Sequence, residues 1–231
     1  MRVLLIGHGR MGQLIEGLAA DHGCEIAGIA EIDRPVDRVI AGAGVVDVAI
    51  DFSHAEAVAA NLTALAAARV NVVIGTTGWQ DQAAELTSLA DRAGMGVLAS
   101  ANFSLGMNAF VFVVEEAVRT FAPMADVGAW IHEAHHAAKR DAPSGTALML
   151  ERAMIAAGYP RPVDMSSTRA GAIPGTHVVG FDAAAETVTL THAVRDRSVF
   201  ARGALEAAKW LKGRRGWFTM RDMIGGGQTG S

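Results

Sequence analysis

The sequence predicts an α/β protein in two parts, a doubly wound N-terminal domain on a parallel sheet followed by a mixed α+β domain. Up to Asn102, short β-branched apolar runs alternate with Ala-rich segments of helical spacing, which is the pattern of βα units. The first of those runs ends in a glycine-rich turn. Beyond Asn102 the order changes to a long helical pattern followed by strand-like runs and further helices.

Taken in order, strands are expected at Val3–Gly7, Glu25–Glu31, Val46–Phe52, Asn71–Gly75 and Gly96–Ala99. Helices are expected between them at Met11–Ala20, His54–Ala68 and Gln80–Ala93, each with apolar residues at a spacing that covers one face of the sheet. The second part reads as a helix over Leu105–Phe121 and a strand over Val127–Glu133. A Pro-headed helix over Pro143–Ala157, strands at His177–Phe181 and Thr187–Leu190, and a helix over Val199–Lys212 follow. Trp217–Ile224 is expected to pack back on the first domain, and the polar segment around Gly225-Gly226-Gly227 reads as a tail. The domains are therefore 1–103 completed by 213–231, and 104–212.

The chain has 231 residues, 51% of them hydrophobic, enough for a substantial core. No run approaches the roughly 18 uninterrupted apolar residues of a membrane helix. The opening Met1–Ile6 run is cut by Gly7-His8-Gly9-Arg10 too early for a signal peptide and reads as a buried strand, so the cytoplasm is the expected compartment. Cys24 is the only cysteine, which excludes an internal disulfide and any Cys-rich zinc site. A net charge of −4 gives no support for a nucleic-acid partner, and the balance favours small molecules.

Gly7-His8-Gly9-Arg10-Met11-Gly12 has G-x-G-x-x-G spacing between a predicted strand and a predicted helix. In that context the first glycine makes the turn, the second lets backbone approach a pyrophosphate, and the third lets helix pack on strand. Glu31 ends the second strand about 20 residues on, where a carboxylate can accept from ribose hydroxyls. That favours NADH, while Arg34 and Arg10 are near enough in sequence to leave NADPH open.

His132-Glu133-Ala134-His135-His136 formally matches H-E-x-x-H, which on a helix would hold zinc. The preceding Asp126–Ile131 reads as a strand, so a helical metal site is not expected, although His177 and His192 are available as further ligands. The other reading makes His135, His136 and Lys139 an anion-binding loop leading into Asp141-Ala142-Pro143-Ser144-Gly145-Thr146. Pro143 suits the first position of a helix, and Gly145 and Thr146 would then offer first-turn N–H donors to a carboxylate.

Glu133 through Ala147, reading EAHHAAKRDAPSGTA, resembles the signature of dihydrodipicolinate reductases. Gly75-Thr76-Thr77-Gly78, Ala101-Asn102-Phe103-Ser104, Pro174-Gly175-Thr176-His177 and Leu190-Thr191-His192 resemble further segments of that family, so the resemblance spans nearly the whole chain. It implies a Rossmann domain completed by the C-terminal segment, a mixed α+β domain for substrate and oligomerisation, and a homotetramer. It also implies reduction of 4-hydroxy-tetrahydrodipicolinate, or its dehydrated form, in lysine and diaminopimelate biosynthesis. Carried over, His135 is a proton donor or acceptor and Lys139 the proton donor, while His136, Gly145 and Thr146 bind the dicarboxylate substrate. Gly7, His8, Gly9, Arg10, Met11, Gly12 and Glu31 form the cofactor side with Gly75, Thr76, Thr77, Ser100, Ala101, Asn102 and Phe103. The chain departs from the family at three points. His54 stands where many relatives have arginine, the segment from Tyr159 to Arg169 is short, and no arginine directly follows Glu31. Two other classes use the same residues: a dinucleotide-sensing module without turnover, and a dehydrogenase for another small dicarboxylate.

Overall fold

The computed structural model describes residues 1–226, so the expected tail from Gly227 on lies outside the described residues. The chain divides into two compact units, Met1–Leu105 together with the segment from Ser198, and Gly106–Arg197. In the first unit, β1 (Arg2–Ile6), α1 (Arg10–Ala19), β2 (Glu25–Ala30), α2 (Val36–Ala43) and β3 (Val48–Asp51) alternate as expected. They are followed by α3 (Val58–Ala68), β4 (Asn71–Ile74), α4 (Ala83–Ala93) and β5 (Gly96–Ala99). The chain returns to this unit late, through a helix over Ser198–Leu211, a strand over Gly216–Phe218 and a short helix over Met220–Ile224.

The six strands form one parallel sheet in the order Gly216–Phe218, β5, β4, β3, β1, β2. Alternation along each strand feeds two cores, because successive side chains leave opposite faces. Leu4 and Ile6 of β1 enter one core with Leu62, Leu65 and Leu86. Val3 and Leu5 enter the other with Ile15, Ala204 and Leu205. Burial on both faces is why these strands read as continuous apolar runs in the sequence. The chain reverses its direction of travel across the sheet between β1 and β3, and it is beyond the C-terminal ends of such strands that open α/β sheets bind ligands.

One boundary needs correction. The expected second domain ran to Lys212, but the helix Ser198–Leu211 belongs to the first unit. Its Ala201, Ala204, Leu205, Ala207, Ala208 and Leu211 are fully buried in the first unit's core. Small side chains bring this helix so close that a Cβ at Gly203 would lie 1.7 Å from the Phe103 carbonyl oxygen. The segment after it packs on the same unit, as expected, with Trp217 paired to Val97 of β5.

The second unit holds α5 (Leu105–Phe121, whose first residue belongs to the first unit), β6 (Gly128–His135), α6 (Gly145–Ala156), β7 (Val163–Arg169), β8 (Thr176–Asp182) and β9 (Thr187–Ala193). The later elements of the first unit are accordingly α7 (Ser198–Leu211), β10 (Gly216–Phe218) and α8 (Met220–Ile224). The sheet order is β7-β6-β8-β9, with β7 parallel to β6 and the remaining pairs antiparallel. Met107, Phe110 and Val114 of α5 and Leu150 and Met154 of α6 pack on Ala129, Ile131, Val179 and Phe181. The sequence reading missed β7, whose VDMSSTR offers only two apolar residues, and α2. It also began α6 too early: Ser144 is the N-cap and accepts from Ala147 N at 3.2 Å, so Pro143 precedes the cap and does not head the helix.

Candidate active site

The glycine loop leaves β1 as anticipated, and its three glycines have separate physical duties. Gly7 adopts φ +85°, and a Cβ there would lie 2.6 Å from the Phe52 carbonyl oxygen. At Gly12 a Cβ would sit 2.2 Å from the Gly7 carbonyl oxygen, so only glycine lets α1 start against the loop. Gly9, the N-cap of α1, has nothing within 4 Å of such a Cβ. Its open face and the free N–H groups of the α1 start fit a pyrophosphate. The shape of the loop therefore fits a dinucleotide.

Two clefts flank the loop. One of about 580 Å³ is lined by Gly7, His8, Gly9 and Glu31, with Asp33 and Asn61. A second of about 370 Å³ is lined by Gly9, Arg10, Met11, Gly75, Thr76 and Thr77. Phe52, Ser53 and His54 line both. The side chain of His8 is tied to Glu16 of α1, at 2.7 Å. Gly75 is required because the Phe52 ring would meet its Cβ at 2.2 Å. Ser100, Ala101, Asn102 and Phe103 line neither cleft. Ser100 and Asn102 bond one another, with Asn102 N donating to Ser100 Oγ at 3.1 Å, and buried Phe103 packs edge-on to Phe52.

Sequence reasoning missed the group that ties these loops together. Asp51, buried at the end of β3, accepts from Ser53 Oγ at 2.6 Å, Asn61 Nδ2 at 2.9 Å and Thr76 Oγ1 at 2.9 Å. A buried carboxylate needs such donors to offset its lost hydration. The signal was available in its position, since Asp51-Phe52-Ser53 ends the strand beside β1 where ligands bind in open sheets.

In the second unit, β6 is a strand, so His132 and Glu133 face opposite ways and the helical zinc arrangement is not formed. His132 leaves toward Ser166, at 2.8 Å. Glu133 and His135 instead extend the buried row of Ala129 and Ile131 and bond to each other through Oε2 and Nδ1. Glu133 also accepts from Arg169 Nη2 at 2.6 Å and from Ser144 N at 3.3 Å. His177, opposite Glu133 on β8, sits edge-on to His135 with ring centroids 5.2 Å apart, and its Nε2 meets Ser144 Oγ at 3.2 Å. Glu133, His135 and His177 are close enough to share a cation, but Arg169 and Lys139 already supply positive charge there.

Lys139 and Asp141 occupy the loop before α6, with Lys139 Nζ at 2.7 and 2.9 Å from the two carboxylate oxygens. The Gly145 N–H also stabilises the Asp141 carboxylate, so this first-turn donor is engaged rather than free, and Thr146 likewise has a partner. The structure thus shows a carboxylate held by Lys139 and the start of α6. His136, partly exposed, follows His135 on the same loop.

Burial would raise the Glu133 carboxyl, but hydrogen bonds from Arg169, Ser167 and His135 outweigh it and hold it at about 2. Burial lowers His135 and outweighs the opposing pull of Glu133. Burial, then the charge of His135, takes His177 down to about 4. The unfolded chain therefore binds a proton at His177 that the native chain refuses between its ordinary 6.5 and about 4. Stability from keeping it neutral is complete above that window and falls as pH drops through it, by at most roughly 3 kcal/mol. Urea unfolding at pH 7 and pH 4.5 should show this loss for the native chain and a flatter dependence for His177→Gln. Parallel slopes would assign the acid sensitivity elsewhere.

A parallel sheet unit with a dinucleotide-type glycine loop, joined in one chain to a unit with a buried imidazole–carboxylate pair and a cationic carboxylate-holding loop, fits a dinucleotide-dependent oxidoreductase. The comparisons agree. The family model for the dihydrodipicolinate reductase N-terminus matches residues 1–103, and that for its C-terminus matches residues 106–224. A 4-hydroxy-tetrahydrodipicolinate reductase of Christiangramia forsetii is 31% identical over 235 residues, covering 97% of this chain and 98% of the relative. One of Thiobacillus denitrificans is 35% identical over 269 residues, with 97% and 98% covered. The chain belongs to the dihydrodipicolinate reductase family. The fold is that of a dipicolinate-bound dihydrodipicolinate reductase from Paenisporosarcina, with a TM-score of 0.78 at 21% identity over 97% of this chain and 99% of that one.

Proposed function

We propose that the protein catalyses NAD(P)H-dependent reduction of 4-hydroxy-tetrahydrodipicolinate, or of the dihydrodipicolinate formed by its dehydration, to tetrahydrodipicolinate. The step belongs to lysine and diaminopimelate biosynthesis. The observation that carries this reading is the grip of Lys139 and the α6 start on the Asp141 carboxylate, because a dicarboxylate substrate needs the same donors. Gly145 donates to that carboxylate, and His136 and Thr146, next to these groups in the chain, join it as the substrate contacts in this reading. A bound reduced nicotinamide supplies the hydride. Lys139 supplies the proton that balances it, and its cation also draws the substrate anion. No metal enters the step. Turnover tests the reading: reduced cofactor should be oxidised with 4-hydroxy-tetrahydrodipicolinate made in situ and not with other small dicarboxylates. Binding of cofactor without oxidation would leave a sensing module, and turnover only with another dicarboxylate would leave a different dehydrogenase.

On the cofactor side NADH is the better fit. Glu31 and Asp33 both line the larger cleft, and among the described residues no lysine or arginine does; Arg10 lines the other cleft and Arg34 neither. A 2′-phosphate would meet two carboxylates there with only the imidazoles of His8 and His54 to offset them. Hydrogen bonds to a charged group contribute about 1.5–3 kcal/mol, so Glu31→Ala should weaken NADH by roughly tenfold or more and narrow the gap to NADPH. Fluorescence titration with both cofactors measures this, and equal losses would make Glu31 a support of the fold. The same family reading carries a cytoplasmic homotetramer, which sedimentation of the purified protein tests.

A further inference from the structure

We propose that Glu133, anchored by Arg169, is the positioning residue of the site and fixes His135 in the tautomer protonated at Nδ1, leaving Nε2 as a proton acceptor. The inference rests on the reductase reading and deepens it, because the residue types alone allow His135 to be donor or acceptor. The geometry divides the roles. An ionised carboxylate can only accept, so the bond between Glu133 Oε2 and His135 Nδ1 must carry its proton on the imidazole. Nε2 of the neutral ring then holds a lone pair and has no hydrogen-bond partner among the described residues. Lys139 is left as the donor of the proton that reduction consumes, whereas Nε2 takes the ring proton lost when the hydroxylated substrate dehydrates and returns it to the departing hydroxide as water, so the two groups do not compete for one task.

Three features show that Glu133 is placed for this. It is fully buried, and its second oxygen is committed to Arg169 Nη2 at 2.6 Å and to Ser144 N at 3.3 Å, so the carboxylate cannot swing away. Arg169 is itself pinned by the Asp141 carbonyl at 2.5 Å and the Thr168 carbonyl at 2.8 Å. Beside the free nitrogen stands Gly175, where a Cβ would lie 3.1 Å from His135 Nε2, so a larger residue would press on the acceptor. The groups facing His135 are Glu133 on its own strand, His177 on β8, Arg169 on β7 and Lys139 in the following loop. Glu133 alone of these is anionic, and it is the one that favours a proton on the ring. Orientation of a histidine by a carboxylate on its far nitrogen is a general device, and its loss commonly costs a large factor in rate.

The test begins with the native protein and no substrate. With 15N-labelled histidine, two-bond proton–nitrogen correlation near pH 7.5 should show His135 with a protonated Nδ1 and an unprotonated Nε2. A resonance pattern with the proton on Nε2 overturns the proposal, whatever the protein turns over. Glu133→Gln, whose amide can donate to Nδ1, should shift the proton to Nε2 and lower kcat by about 10²-fold, leaving the KM for NADH unchanged. The acidic limb of its pH–rate profile should move to lower pH, because the charge that favours protonation of His135 is gone. An unchanged tautomer and unchanged profile in folded Glu133→Gln would reduce Glu133 to a structural role. If the tautomer is as proposed but 4-hydroxy-tetrahydrodipicolinate is not reduced, the functional reading fails and the positioning stands.

Discussion

Lys139→Ala should lower kcat by about 10²–10⁴-fold, the range for loss of a positioned proton donor. Hydride addition to a conjugated, dicarboxylated ring leaves electron density that must be protonated for the reaction to finish. Lys139 is the one ammonium in the loop between β6 and α6, and its partner Asp141 is largely exposed. That ion pair is therefore a weak structural element, and losing it should cost the fold little. What is lost is felt when the ring becomes anionic, so kcat should fall more than KM rises. NADH titration should be unaltered, because the glycine loop belongs to the other unit. Steady-state kinetics with circular dichroism as a folding control decides it; a near-normal kcat in folded Lys139→Ala makes the residue an electrostatic anchor.

Gly12→Ala should produce the other large effect, and the contrast with Gly9→Ala gives it meaning. A methyl group at Gly12 would stand 2.2 Å from the Gly7 carbonyl oxygen, so loop or helix must move. Overpacking of this kind costs about 1–3 kcal/mol, and a shifted loop should lose cofactor affinity by roughly 10- to 100-fold. Gly9→Ala meets no protein atom within 4 Å, so the native stability should persist while the new methyl intrudes where a pyrophosphate would approach. Thermal unfolding with NADH titration separates the two: Gly12→Ala should lose both stability and binding, Gly9→Ala binding alone. Normal NADH affinity in Gly9→Ala would move the phosphate site away from this loop.

Much of the fold could be read in the sequence because the first unit's strands are buried on both faces and therefore written in uninterrupted apolar residues. β5 matched its expected limits for that reason, and α5 matched its own because apolar residues recur along it at helical spacing. β7 escaped because it is an edge strand with polar side chains on most positions, and with it went Arg169, the residue that anchors Glu133. The domain boundary was missed because α7 follows the second unit in sequence while its alanine face packs on the first, and periodicity does not say which sheet a helix covers. Of the candidate site, His135 and Lys139 stood out by residue type in a short motif. Glu133 was noticed only as part of a helical zinc pattern, and the strand instead turned it toward His135. Ser100 to Phe103 are assigned to the cofactor by the resemblance alone: they line neither cleft beside the glycine loop, and Phe103 packs against α7 and Phe52.

If hydride passes from a nicotinamide bound by this chain to a six-membered dicarboxylate ring without a metal, label on the cofactor must appear in the product. The direct measurement uses NADH carrying deuterium at both positions of nicotinamide C4, with chelator-treated protein and 4-hydroxy-tetrahydrodipicolinate generated in situ. Mass spectrometry should find tetrahydrodipicolinate with one deuterium per molecule, formed in step with NADH consumed. Unlabelled product, or no product until zinc is restored, would rule out metal-free hydride transfer from the nicotinamide.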